Sequence, residues 1–305
     1  MNEKDFEATV YAFSNLHQTS ETTMVCSMVL NLLNIGLNNE DMTKQQLLEM
    51  FLYKPYSDWD KQMPLNKWSG ITNGSLTIIH NDVDGNILYL SNIPAFVHNF
   101  TVYGCRFTSF ISTTILPYTL KLLDLSYGNM KGIFNIEEFP FLEKLDLSGN
   151  TFDGKIDFTK LPSSMTYFNI LSNQFSGLVD LTKLPPSIIY FNIAHNQFSG
   201  LVDLTNLPSS IKLFNIAHNK FNSINLTNLP LSIDYFNITD NLFSGSINLT
   251  NLPPSIKYCN MDILGCSIHV IDLSSYITHS NISHDQFSGL IDLTKSHIYI
   301  IKYVI

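Results

Sequence analysis

The stretch FNIAHNQFSG, residues 191 to 200, returns almost unchanged as FNIAHNKFNS at 214 to 223. Each copy holds two asparagines four residues apart, in a segment that otherwise reads as a buried strand. Asparagine is a poor strand former and costs free energy to bury without partners. A chain that repeats both of them has a use for each.

Working outward, the phrases KLPSSMTYFNI, KLPPSIIYFNI, NLPSSIKLFNI, NLPLSIDYFNI and NLPPSIKYCNM begin at Lys160, Lys183, Asn206, Asn228 and Asn251, in steps of 23, 23, 22 and 23. Between them lie NQFSGLVDLT (twice), NKFNSINLT and NLFSGSINLT, and the residue missing from the third accounts for the shorter step. The combined unit is I-x-x-F-x-I-x-x-N-x-F-S-G-x-V-D-L-T-x-L-P-x-S. It resembles the leucine-rich repeat, LxxLxLxxNxL, and its G-x-V step after the asparagine is similar to the plant-type class of that family.

Weaker copies extend the register. Leu142-x-x-Leu145-x-Leu147-x-x-Asn150-x-Phe152 is a clean match, and Leu120-x-x-Leu123-x-Leu125 precedes it with Gly128 at the asparagine position. Val97-x-x-Phe100-x-Val102 places Cys105 there, and Leu76-x-Ile78-x-x-Asn81-x-Val83 gives a first repeat starting near Asn73. Forwards, Ile256-x-x-Cys259-x-Met261 meets Leu264, Ile277-x-x-Ser280-x-Ile282 puts serine in a core slot, and the chain stops on Ile300-x-x-Tyr303-x-Ile305. The expectation is an α/β repeat solenoid over residues 73–305, about ten repeats and a terminal strand, behind a helical cap in residues 1–72. In that cap a helix starts at Asn39 and ends before Pro55, followed by Trp59 and Trp68-Ser69-Gly70-Ile71-Thr72. The resemblance implies W-x-G-V-x-C here; Thr72 replaces the cysteine, so the capping disulfide of secreted relatives is absent.

A unit this short cannot bury its apolar face alone, so stacked copies share one core. Strands at roughly 4.8 Å spacing give a horseshoe on the order of 45 Å along its parallel, concave sheet. The recurrent Pro162, Pro185, Pro208, Pro230 and Pro253 lack an amide donor and predict a convex side of short 3₁₀ or extended segments, with no long helix.

In each strand the apolar triplet points inward and the residues between it face out. The middle outward column reads Thr77, Thr101, Asp124, Asp146, Asn169, Asn192, Asn215, Asn237, Asn260, Asn281, and the one beside it Tyr167, Tyr190, Leu213, Tyr235, Tyr258. Past the strand come Ser172, His195, His218, Asp240 and His284. Tyrosine offers contact area at low entropic cost and asparagine adapts its hydrogen bonds, so the face suits a protein partner. The expected contacts are Tyr167, Asn169, Tyr190, Asn192, His195, Asn215, His218, Tyr235, Asn237 and Tyr258; duplication of repeats without selection for binding would produce the same columns. The inward asparagines Asn81, Asn150, Asn173, Asn196, Asn219 and Asn241 are expected to form a ladder satisfying backbone groups of adjacent turns. Asn196→Ala should then weaken the fold, and Asn192→Ala should touch binding alone.

Net charge is −9 without a Lys/Arg cluster, which argues against nucleic-acid binding. No nucleophile motif, phosphate loop or metal spacing occurs, and Asp82-x-Asp84-Gly85 lacks the remaining ligands of a calcium loop, so no enzyme, cofactor or metal is expected. His195 and His218 are near enough in the column to share a metal, but duplicated exposed imidazoles explain them as well. Asp124 and Asp146, with Glu143, read as a solvated acidic end of the face.

The apolar stretch 24–37 is 14 residues, too short to span a membrane, and residues 1–23 carry Glu3, Asp5, Glu7 and Glu21 against Lys4, unlike a signal peptide. It is read as a buried helix of the cap. Cys26, Cys105, Cys259 and Cys266 are scattered; Cys259 and Cys266 lie near enough to pair, but free thiols in a reducing compartment are the plainer reading. Sequons at Asn73, Asn99, Asn225, Asn237, Asn248 and Asn281 keep a secreted or cell-surface recognition protein as the alternative to a cytoplasmic one. A degenerating member of the family is the third reading. The apolar ending HIYIIKYVI, 297 to 305, stands where solenoids place a polar cover, and self-association through that end is expected.

Overall fold

Wherever the repeat presents its I-x-x-F-x-I core the chain extends, and successive copies pair side by side. The structure, a computed structural model, describes residues 39–49, 59–79, 93–94, 96–105, 110–112, 116–226, 229–244, 246–248, 252–261, 267–269, 279–281 and 286–288. Tyr190, Phe191 and Asn192 lie between Tyr167, Phe168, Asn169 on one side and Leu213, Phe214, Asn215 on the other. Every outward column of the sequence is thus a physical row. The 11-stranded sheet runs from Ile71–Thr72 to His279–Asn281. Its pairs are parallel except the first, where Ile71–Thr72 lies antiparallel to Ser75–Ile79.

The return half of each repeat closes the coil without an α-helix among the described residues. Short strands there form three three-stranded sheets, and 3₁₀ turns occupy Ile136–Glu138 and Phe158–Lys160. Proline opens the turn leading back into the long sheet: its carbonyl accepts from the amide three residues on, as in Ile188 N to Pro185 O at 3.1 Å and Ile211 N to Pro208 O at 3.2 Å. The serine of the same phrase ties the coils together. Ser187 Oγ donates to Met165 O at 2.7 Å, Ser210 Oγ to Ile188 O at 2.6 Å and Ser255 Oγ to Ile233 O at 2.7 Å.

The core between the two sides is a stack of phenylalanines. Phe168, Phe191, Phe214 and Phe236 follow one another at centroid separations of 5.6, 5.7 and 5.8 Å, all fully buried. Burying each such ring contributes about 1.5–3 kcal/mol. Beside the stack run the inward asparagines. Asn196 donates Nδ2–H to the carbonyls of Ile170, Ile193 and Ala194 at 2.9, 3.2 and 3.1 Å and accepts from Phe175 N at 3.0 Å. Asn173, Asn219 and Asn241 repeat the pattern, and Asn150 accepts from both Gly128 N and Met130 N. Asn81 lies outside the described residues.

At the N-terminal end, Trp59 and Trp68 are buried and stacked 5.2 Å apart. Their indole N–H groups bond across to Ser69 O at 2.9 Å and Asp60 O at 3.0 Å. That reciprocal pair ties residues 59–60 to residues 68–69. The helix Asn39–Glu49 buries Leu47 and sends Lys44 Nζ to Lys61 O at 3.2 Å. Residues 24–37 and 297–305, with Cys26, Cys266 and His284, lie outside the described residues. Among the described residues no helix is long and apolar enough to cross a membrane.

The convex edge explains several exposed apolar side chains. Gly200, at φ +92°, sits under Leu178: a Cβ there would stand 2.6 Å from Leu178 Cδ2. Gly154 lies under Ile133, and Gly177 under the stem of Lys155, in the same way. Leu178 is exposed and its tip can turn aside, so the backbone decides the outcome. We expect Gly200→Ala to cost about 1–2 kcal/mol, the penalty for a Cβ in left-handed backbone, read as a lower urea midpoint at unchanged slope. A change under a few tenths would mean that the turn relaxes freely.

Candidate functional site

On the long-sheet face the aromatic row divides into two pairs. Tyr167 and Tyr190 stack with centroids 4.3 Å apart, and Tyr235 and Tyr258 sit 5.9 Å apart and tilted by 37°. Leu213 lies in register between the pairs, leaving a notch one residue wide in the tyrosine ridge. The row immediately before it, Thr166, Ile189, Lys212, Asp234 and Lys257, also faces out, with Ile189 44% exposed. The sequence reading passed over that row, although its signal was present: it is the other residue between the first two apolar positions of each strand.

The asparagine row behaves differently from the expectation. Asn169 and Asn192 are buried at 6% and 4% exposure. Four asparagines of the row accept through Oδ1 from the amide two residues later: Leu171 N to Asn169 at 3.2 Å, Ala194 N to Asn192 at 3.1 Å, Ala217 N to Asn215 at 3.2 Å, Thr239 N to Asn237 at 3.2 Å. Asp124 and Asp146 do the same with Ser126 N and Ser148 N. Every one of these caps precedes a residue in left-handed backbone: Tyr127, Gly149, Ser172, His195, His218 and Asp240, with φ between 50° and 67°. A short polar side chain that bonds two residues ahead is what such a turn needs. The expectation that Asn192→Ala leaves the fold nearly intact is therefore corrected: Asn192 holds the exit turn of its strand.

Those turns raise His195 and His218 from the rim. Their rings stack 3.9 Å apart at 16°, and His218 Nε2 lies 3.2 Å from Asp240 Oδ2. Partial burial, then the neighbouring His218, lowers the pKa of His195 below the ordinary histidine value, with Asp240 pulling the other way. Among the described residues no group of three or more His, Cys, Asp or Glu is placed to hold a metal ion. Cys105 is buried and directs its Sγ to Tyr103 O at 3.5 Å, and full burial pushes the Cys259 thiol up to about 12, which keeps it protonated and unreactive.

At the other end of the face, burial raises Asp124 above the usual carboxylate range against the hydrogen bonds from Ser126, with the charge of Asp146 adding to the rise. Asp146 is better supported. It accepts from Tyr167 Oη at 3.1 Å and Asn169 Nδ2 at 2.9 Å. Burial and that carboxylate push the Tyr167 phenol well above its ordinary range, so it remains a donor. Glu143 is answered by Lys121 Nζ at 3.3 Å. The acidic end is thus largely tied up internally.

One parallel strand per repeat, an inward asparagine bridging coil to coil and a return without α-helix among the described residues define the architecture. The chain has the leucine-rich-repeat fold. No protein-family model and no curated protein matches the sequence. Among solved structures it is similar to a plant ice-binding protein at a TM-score of 0.62 and 17% identity, over 86% of this chain and 87% of that one. A TDR receptor matches at a TM-score of 0.48 and 18% identity over 68% of this chain and 41% of that one, so the chain spans less than half of that receptor. An LRR protein of Leptospira interrogans matches at 0.35 and 14%, over 81% and 83%.

Proposed function

We propose that the chain is a non-enzymatic interaction module that binds a partner protein through the concave face, with residues 1–72 as cap and 73–305 as the binding solenoid. The observation that supports it is the tyrosine ridge. Four rings at fixed positions on a rigid parallel sheet, two of them stacked, offer contact area that loses little freedom on binding. Leu213 and Ile189 add an apolar notch and knob between them. The caps above keep Asn169 and Asn192 from being free contacts, so the tyrosines, Ile189 and the histidine rim carry the reading.

The test is affinity capture with the wild-type chain and with the Tyr190→Ala/Tyr235→Ala variant. Both rings are half-buried at the surface, so the fold should survive their loss. Truncating two central aromatic anchors should cost about 2–4 kcal/mol of binding, which is a loss of at least thirtyfold in captured partner. Equal capture by the two would sink the proposal.

Ice binding, named for the plant neighbour, does not carry over at this identity. The regular convex row Thr159, Thr182, Thr205 stands among carboxylates, and Thr159 and Thr182 hydroxyls donate to Asp157 and Asp180 at 2.6 Å. On compartment, the cytoplasmic reading competes with the secreted one, and one feature favours the latter: Asn73, in an N-G-S sequon, is exposed at the turn between Ile71–Thr72 and Ser75–Ile79. Glycan mass at Asn73 of the native protein decides between them.

A further inference from the structure

The stacked histidines are the feature that partner binding alone leaves unexplained. Three successive repeats place His195, His218 and Asp240 at one backbone conformation, φ 52°, 52° and 50°, so their side chains rise from the rim as a row. Two imidazoles with ring centroids 3.9 Å apart and nearly parallel repel when both are charged, so the stack is favoured while at least one is neutral. The groups acting on His195 are His218 and Asp240; the preceding residue of the row, Ser172, is uncharged. Lys220, two residues past His218, is occupied with Gln197 Oε1 at 3.2 Å. A proton on His218 is held by the Asp240 carboxylate at 3.2 Å. A proton on His195 lies instead against the other ring.

We infer that the His195–His218 stack is a proton-operated latch on the concave rim: charging both rings parts them and reverses the row of His195, His218 and Asp240 from net negative to net positive, so that acid releases a partner seated there. The last clause rests on the protein-binding reading; the latch itself does not. Folding favours neutral His195, so between the lowered folded value and the ordinary histidine value of about 6.5 the unfolded chain binds more protons than the folded one. Stability at this position is therefore present above that window and is lost as pH falls through it. The side chains are 44% and 55% exposed at His218 and Asp240, so the coupling is screened and should weaken at low salt least.

The experiment has two arms on the full chain. Histidine ring resonances followed by NMR between about pH 8 and pH 4 report the latch directly. His195 should titrate below an ordinary histidine, and His218→Gln should move it upward. A His195 midpoint at or above the ordinary value, or one indifferent to His218→Gln, overturns the latch. The second arm compares partner affinity at about pH 7.5 and pH 5.5. Two like charges roughly 4 Å apart at a wet surface are enough for a loss of about tenfold in the wild type. The His195→Gln/His218→Gln variant should hold one affinity at both values. An equal acid loss in that variant overturns the release step. If the Tyr190→Ala/Tyr235→Ala variant binds fully while His195 titrates as described, the concave-face reading fails and the latch stands.

Discussion

Asn196→Ala is expected to cost the fold about 3 kcal/mol, among the largest effects available from a single polar side chain. The asparagine makes four bonds, and alanine can replace none of them. Phe175 N–H loses its acceptor at 3.0 Å, and the carbonyls of Ile170, Ile193 and Ala194 lose a common donor. The site is 8% exposed, so water cannot easily substitute. Asn196→Asp should be no milder, because a second oxygen would then face three carbonyl oxygens. Asn192→Ala provides the scale. It removes two bonds, the one accepted from Ala194 N at 3.1 Å and the longer one donated to Tyr190 Oη at 3.4 Å, and unties a turn that holds His195 in left-handed backbone, a loss of about 1 kcal/mol. Urea unfolding of the three variants at a common slope checks the order. If Asn192→Ala were the more damaging, the division of labour between the two asparagines would be wrong.

That pair shows how far the sequence could be read. Asn196 was legible because it fills the asparagine slot of the repeat just past the strand, and an amide turned inward there must find partners. The burial of Asn192 was not legible from the strand period. Its alternation puts it outward, and only the backbone beyond the strand reveals that Ala194 N–H needs its oxygen. The serine ladder was missed for a related reason. Ser187 and Ser210 sit in proline-rich phrases that read as turn filler, while their hydroxyls reach carbonyls 22 positions back. A repeat makes such long-range partners invisible in any one copy and obvious once the copies are stacked. The tyrosine and histidine rows were placed correctly as rows, since in-register pairing preserves columns. Their ring geometry was not: Tyr167 stacks on Tyr190 while Tyr235 and Tyr258 tilt apart, and the stacking of His195 on His218 depends on a φ near 52° that no composition announces.

Phe158→Ala should rival the asparagine substitution, at about 3–5 kcal/mol, while Phe158→Leu should stay under about 1.5 kcal/mol. Phe158 begins a 3₁₀ turn whose N-cap, Asp157, accepts from Thr159 N at 3.0 Å and Thr159 Oγ1 at 2.6 Å. From the convex side its ring crosses the core and meets Phe168, Phe191 and Phe198 edge-on, at 5.8, 5.8 and 5.6 Å. Edge-to-face pairs of this kind add about 0.5–1.5 kcal/mol each beyond the area they bury. In a solenoid each unit leans on its neighbours, so a void beneath three rings also loosens the stack that they begin. The milder leucine result follows from the repeat itself: Leu181 and Leu204 fill the equivalent place in the next two copies and are equally buried. Parallel urea titrations of the wild type and both variants read the difference. An alanine variant within about 1 kcal/mol of the leucine one would show that the coil closes around the gap, and that Phe158 is packing filler and not a clasp.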